Sequence, residues 1–258
     1  MLKHLKEMIP DHALYVEPFL GGGALFWEKE PSEAEVINDL DDNVVNFYRV
    51  MQTNWDELYQ LMQTTLHSRS QHQAARYVLK QEEDKLSETY TYYLGESNTF
   101  PKDVQKAWAF WMQTNMSYSA KLFGGFAYCR SDKTTKAVIN KRERFQEHYK
   151  ERLSGVCIEC NDAIKVIESR DTIDSFIYCD PPYFNSNCGH YAGYSEEDFK
   201  KLLTTLSGVE GKFLLSSYPS ELLTEYTKQS GWNQKEFIKY RSAGNNSGTK
   251  TEVLTWNY

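Results

Sequence analysis

The feature that most narrows the fold is an alternation that starts, stops and starts again. Ala13-Leu14-Tyr15-Val16 reads as a short apolar strand. It runs into the turn Glu17-Pro18-Phe19-Leu20-Gly21-Gly22-Gly23, which opens a helix over Ala24–Glu28. Glu35-Val36-Ile37 is a second strand, ending at Asn38-Asp39, and a helix follows from about Asp42 to Gln52. Strand, glycine-rich turn, helix and a strand with an acidic end make half of a nucleotide-binding α/β unit. Upstream of it, Leu2, Leu5, Met8 and Ile9 fall at helical spacing until Pro10 stops them.

Residues 53–152 then break the pattern: they are helix-rich, polar and aromatic, with no convincing strand. Strands resume at Val156–Glu159 and at Ser175–Cys179, the second ending on Asp180-Pro181-Pro182-Tyr183. A helix over Glu196–Leu206, a strand over Lys212–Ser217 and a helix over Glu221–Ser230 follow. Phe237–Arg241 and Glu252–Asn257 read as a final antiparallel pair around a loop at 242–250. A structureless stretch of a hundred residues inside a domain is implausible. The expected architecture is therefore an α/β sheet domain built from residues 1–52 and 153–258, interrupted by a helical subdomain at 53–152.

Composition closes off several classes. With 40% hydrophobic and 25% charged residues among 258, this is ordinary soluble globular material. No apolar run approaches the roughly 20 residues of a membrane span. The start Met1-Leu2-Lys3-His4-Leu5-Lys6 runs into Glu7 and Pro10 and does not read as a secretory signal, so a cytoplasmic chain is expected. Five cysteines are then best read as reduced thiols. Cys157-Ile158-Glu159-Cys160 has the spacing of a redox or zinc pair, but no second pair or nearby histidine accompanies it, and no metal is expected. The net charge of −7 argues against a nonspecific polycation. Residues 118–152 nevertheless hold nine Lys/Arg against four Asp/Glu, one basic segment on an acidic protein.

Two sites carry the chemistry. Asp39 ends the strand after the glycine turn, where a carboxylate is placed to accept hydrogen bonds from two ribose hydroxyls. The turn lacks the repeated G-x-G-x-x-G spacing of dinucleotide enzymes, which favours a single nucleoside ligand. Asp180-Pro181-Pro182-Tyr183 is the sharper signal, at the carboxyl end of a strand, where open α/β sheets bind ligands. Two prolines fix the backbone and leave their carbonyls unpaired. The Asp180 carboxylate and a proline carbonyl can together accept both protons of an exocyclic amino group, and Tyr183 offers a flat face to a base.

These motifs, Glu17-Pro18-Phe19-Leu20-Gly21-Gly22-Gly23, Asp39 and Asp180-Pro181-Pro182-Tyr183, resemble those of the Dam-type DNA adenine-N6 methyltransferases. Their order, with an insert between donor motif and catalytic motif, is that of the α group. The resemblance extends over essentially the whole chain, including the aromatic stretch Trp108–Tyr128, the strand Lys212–Tyr218 and Thr251-Glu252-Val253-Leu254. It implies a Rossmann-like class I methyltransferase sheet with an inserted helical target-recognition subdomain, and S-adenosylmethionine as methyl donor.

Carried over by position, Phe19 and the glycines, Gly21 and Gly23 among them, line the donor's methionine and adenosine. Asp39 holds its ribose, and Asp162-Ala163 border its adenine. Glu17, Pro18 and Leu40 fall in the same donor-binding set, and Asp180 serves both the donor side and the target amine.

On the DNA side, the resemblance aligns Ser117-Tyr118-Ser119 and Lys121 with a DNA-contacting loop. Arg130, Lys133, Lys136, Lys141, Arg142 and Arg144 suit phosphate contacts. Trp108 and Trp111 read as core of the helical subdomain. The implied reaction is methyl transfer to adenine N6 in double-stranded DNA with the base flipped out, in a bacterial or phage setting and with a possible companion restriction endonuclease. An RNA adenine-N6 methyltransferase would use the same pocket. A noncatalytic DNA-binding relative is the reading from another class. Its support is that the chain starts at the first helix, without the short Tyr/Pro-Gly-Gly/Ser-Lys motif these enzymes usually carry ahead of it.

Overall fold

A computed structural model of the chain describes residues 1–81, 100–128, 133–184, 193–240 and 249–258. Arg130, Arg241 and most of the loop at 242–250 lie outside the described residues. The chain divides into two compact units, Met1–Leu40 with Gly155–Tyr258, and Asp41–Ser154.

The first unit is built on seven strands: β1 (Leu14–Glu17), β2 (Ala34–Asn38), β3 (Cys157–Glu159), β4 (Ser175–Cys179), β5 (Lys212–Ser217), β6 (Asn233–Tyr240) and β7 (Thr249–Trp256). They form one sheet in the order β3-β2-β1-β4-β5-β7-β6. The first five are parallel, and β7 runs antiparallel between β5 and β6. This is the Rossmann-like arrangement. Strands β1, β4 and β5 are buried almost throughout because helices cover a parallel sheet on both faces. Val16, Ile177 and Leu215 pack on one face with Phe199, Leu202, Leu203 and Val166. The helices of this unit are α1 (Leu2–Glu7), α2 (Ala24–Glu28), and those over Ala163–Arg170, Glu196–Leu206 and Glu221–Ser230. Ser195 and Asp198 close a reciprocal capping box on the fourth, and Ser220 caps the fifth.

The chain order reverses between β1 and β4, which pair in register at Val16 and Ile177. Their carboxyl ends therefore open side by side, and the two motifs, far apart in sequence, follow these two strands.

The second unit holds α3 (Asp42–Thr53), α4 (Trp55–Gln63), α5 (Arg69–Lys80), α6 (Lys102–Met116), α7 (Lys133–Arg144) and α8 (His148–Leu153). The sequence put the first boundary after residue 52; the units part at Leu40, and α3 lies with the insert. The reason is its packing: Phe47 meets Phe110, the Asn46 amide donates to the Asp103 carbonyl, and the Gln52 amide donates to the Leu153 carbonyl. Central to this unit is α6, with Ala107, Trp108 and Met112 fully buried and the Trp108 indole donating to Thr65 Oγ1 at 2.7 Å. Trp111 is also buried.

Behind β1 sits a buried ion pair. Lys29 reaches Glu35, donates to Ser32 Oγ at 2.9 Å and to the Glu30 carbonyl at 2.8 Å, and stands 4.3 Å above the Tyr15 ring. Removing one partner strands the other charge in the interior. Lys29→Ala should therefore lower stability by about 3–5 kcal/mol in urea unfolding, whereas the double change K29M/E35L should recover most of that loss.

Candidate active site

Glu17 ends β1 and is 2% exposed. Tyr15 donates its hydroxyl to Glu17 Oε2 at 2.6 Å. Burial pushes the Glu17 carboxyl up to about 8; the Tyr15 hydroxyl bond and the Phe26 backbone bond oppose this, and the charge of Asp180 adds to it.

One residue after β1, the Pro18 carbonyl accepts from Asn38 Nδ2 at 2.9 Å. The same amide donates to the Asn161 carbonyl at 3.0 Å, and its oxygen accepts from the Asn161 N–H at 2.9 Å. Asn38, 1% exposed, thus ties the ends of β1, β2 and β3 together. The sequence reading passed over it as a strand-ending residue. Its signal was an amide-bearing side chain directly before the acidic one.

Asp39 Oδ2 accepts the Gly21 N–H at 2.7 Å, so this carboxylate clamps the glycine turn across to β2. Gly21 and Gly23 take left-handed φ values of 49° and 61°, which a side chain would strain, and Gly23 caps α2. Leu40 is 76% exposed beside this carboxylate. Asp162 caps the helix Ala163–Arg170, its Oδ1 accepting from the N–H groups of Ile164 and Lys165. Phe19 meets Tyr194 edge-on at 6.4 Å. A Cβ added at Gly22 would meet no atom within 4 Å, so the turn presents bare backbone to open space. A half-exposed carboxylate, an exposed apolar side chain and bare turn backbone on neighbouring strand ends fit a nucleoside-type ligand.

At the end of β4, Asp180 is exposed and Pro181 buried. Tyr183 donates its hydroxyl to Asp180 Oδ1 at 2.9 Å and lies 3.0 Å from Ser216 Oγ. Its ring faces Tyr218 at 4.3 Å between centroids, tilted by 56°. Ser216 and Tyr218, at the carboxyl end of β5, were not singled out from the sequence. Cys157 and Cys160 are exposed and are not joined in a disulfide. Among the described residues no three His, Cys, Asp or Glu side chains gather to hold a metal.

In the second unit, a short loop leaves α6. The Tyr118 N–H donates to the Gly125 carbonyl at 2.8 Å, and the Ala127 N–H to the Met116 carbonyl at 2.8 Å. At its tip Ser119, Ala120 and Phe123 all have left-handed φ, and Tyr118 is 74% exposed. Lys121 is exposed as well. Side chains from α5, together with His67 just before it, hold the loop. His72 Nε2 bonds Ser117 Oγ at 2.9 Å, Arg76 donates to the Phe123 carbonyl at 2.9 Å, and His67 meets the Ala127 carbonyl at 2.9 Å. Burial and the nearby Arg76 and Arg69 charges lower His72 to about 4, so it is neutral at physiological pH.

The structure separates the basic residues grouped from the sequence. Lys141 donates to the Asn115 carbonyl at 3.0 Å, its ionisation lowered by burial. Arg142 donates to the carbonyls of Gln63 and Thr65, at the end of α4. Both therefore have an internal role that phosphate contact would have to share, while Arg144 is exposed. Helical phase decides this, since consecutive residues of α7 face different ways.

The raised Glu17 carboxyl has a consequence for stability. Between an ordinary 4.5 and about 8, the native protein keeps a proton that the unfolded chain releases. Stability should fall as pH rises through that window and level off above it. Glu17→Gln, which keeps an acceptor for Tyr15, should flatten that fall, so its advantage over the parent grows from pH 5 to pH 8 in denaturant unfolding. Parallel pH profiles would show that Glu17 is ionised throughout.

Comparison with known proteins shows the family. The family model described as D12 class N6 adenine-specific DNA methyltransferase matches residues 1–240. A type II methyltransferase of Lactococcus lactis subsp. cremoris is 26% identical over 276 residues, covering 100% of this chain and 91% of its own length. The DNA adenine methylase of Escherichia coli K12 is 22% identical over 271 residues, covering 98% of this chain and 88% of its own. The DNA N-6-adenine-methyltransferase of Escherichia phage P1 is 25% identical, over 98% of this chain and 33% of its own. Among solved structures, a SAM-dependent methyltransferase from Agrobacterium tumefaciens superposes with a TM-score of 0.39 at 10% identity, over 99% of this chain and 59% of its own. With the family model spanning all but the last strand and the two motifs side by side on the sheet, the chain belongs to the D12 class of N6 adenine-specific DNA methyltransferases.

Proposed function

We propose that the crevice at the ends of β1 and β4 holds S-adenosylmethionine beside an adenine flipped out of double-stranded DNA. The observation that carries this reading is the pairing of β1 with β4, which sets the glycine turn and Asp180-Pro181-Pro182-Tyr183 on adjacent strand ends. Bound S-adenosylmethionine supplies an electrophilic methyl group. Asp39 accepts the ribose hydroxyls, and the turn from Phe19 through Gly23 lies along the methionine and adenosine. Leu40 and Asp162-Ala163 border the adenine ring.

Asp180 and the Pro181 carbonyl accept the two protons of the target amine, which draws electron density toward N6 and fixes its direction of approach. Tyr183 stacks on the base. The catalysis is positioning and electrostatics, with no covalent enzyme intermediate. Extruding the base costs a few kcal/mol of unstacking, about what stacking and amine contacts can return. In the second unit Tyr118, Ser119 and Lys121 contact the DNA, and Arg144 contacts phosphate. The relatives act in bacteria and phage, and a cytoplasmic setting belongs to the same proposal.

Expression in a bacterium lacking DNA methylation, followed by modification-sensitive sequencing, should reveal N6-methyladenine in one short sequence context. Asp180→Ala should abolish it while leaving the melting curve and duplex affinity within a few-fold of the parent. Purified protein offered duplex DNA and RNA should methylate only the DNA; turnover on RNA alone would overturn the substrate assignment.

The basic residues separate in a second experiment. Arg144→Ala and Lys121→Ala should each flatten the plot of log affinity against log salt by about 0.9. Arg142→Ala should cost about 1–3 kcal/mol of stability, because the Gln63 and Thr65 carbonyls lose their donor.

A further inference from the structure

The Tyr183 hydroxyl has one proton and two polar neighbours. It donates to Asp180 Oδ1 at 2.9 Å, and Ser216 Oγ lies 3.0 Å away on the other side. A serine hydroxyl can donate or accept by rotating. While the phenol proton points at Asp180, Ser216 donates to the phenolic oxygen, giving a chain Ser216 to Tyr183 to Asp180. That chain ends on Oδ1 of the carboxylate the target amine needs, so in the free protein an internal donor competes with the amine for that oxygen. Here the argument rests on the proposed function.

The phenol does not escape by ionising, since burial and the Asp180 charge hold its proton on. The ring itself is confined by Tyr218 at 4.3 Å. Turning the hydroxyl is the remaining route, and Ser216, 3% exposed at the end of β5, is the acceptor it can turn to.

We propose that Ser216 is a positioning residue that releases one oxygen of the catalytic carboxylate: by changing from donor to acceptor toward Tyr183, it takes up the phenol's hydrogen bond and leaves Asp180 Oδ1 to the target amine. Only hydrogen bonds change, and each proton stays on its own oxygen.

The test is a double-mutant cycle on Ser216→Ala and Tyr183→Phe, using a duplex that carries the sequence found methylated in cells. In S216A the phenol keeps Asp180 as its partner. Turnover at limiting DNA should fall by about tenfold, the scale of one hydrogen bond to a charged group. Adding Y183F removes the competing hydroxyl, so S216A/Y183F should be more active than S216A, although Y183F brings no such gain to the parent. The affinity advantage of adenine over purine, which lacks the amine, at the target position should shrink in S216A and recover in the double variant, independently of turnover. If Ser216 only anchors the Tyr183 ring, the double variant will be no better than S216A in either readout, and the proposal falls. Should S216A not fold, S216C, close in size and a weak acceptor, carries the same comparison. A parent protein that methylates no DNA would refute the function itself. An active parent whose double variant does not recover would refute only the role of Ser216.

Discussion

Three strand ends meet on one buried amide. The Asn38 side chain donates to the carbonyls of Pro18 and Asn161 and accepts from the Asn161 N–H, so the turns after β1 and β3 are both fixed to the end of β2. These carbonyls and this N–H belong to loops and have no ladder partner in the sheet. The Pro18 carbonyl, buried without Asn38, would cost about 1–3 kcal/mol. The next residue, Asp39, repeats the device one step outward by clamping Gly21. The site's shape thus depends on two adjacent side chains at the end of β2. The apolar core below supplies stability but does not set the loop positions.

The interior next to this site is unusually polar for a protein that must bury its central strands. Glu17 lies under the crevice with Tyr15 on one oxygen, and Tyr15 in turn packs under the Lys29 ammonium. Holding a carboxyl there and raising its ionisation toward neutrality works against folding. An apolar residue would be easier to bury.

In the second unit the same balance appears as backbone geometry. Three non-glycine residues of the loop after α6 hold left-handed φ, each at a cost on the order of 1–3 kcal/mol. His72 and Arg76 on α5, with His67 before it, offset this by binding the loop at Ser117, Phe123 and Ala127. A loop held this way keeps Tyr118 exposed with little freedom left to lose, which lowers the entropic cost of contact.

Local periodicity and turn chemistry were enough to place β1, α2, β4, β5 and their helices, because a buried parallel strand and a capped helix write themselves into a few consecutive residues. The motifs Glu17–Gly23 and Asp180–Tyr183 were legible for the same reason, and with them the family. What the sequence could not settle is everything that depends on which way side chains point once distant segments meet. Helix α3 looked like the next step of the α/β alternation, yet its apolar face packs on α6. Lys141, Arg142 and Arg144 formed one basic run in the sequence, but the turn of α7 directs the first two inward. Ser216 became visible only when β5 was set beside β4, bringing its hydroxyl to Tyr183. The sequence by itself determined the elements and the chemistry they carry, since those rest on residue type and local spacing. Tertiary structure alone decided which polar groups meet, since a hydrogen bond depends on distances between atoms that spacing along the chain does not fix.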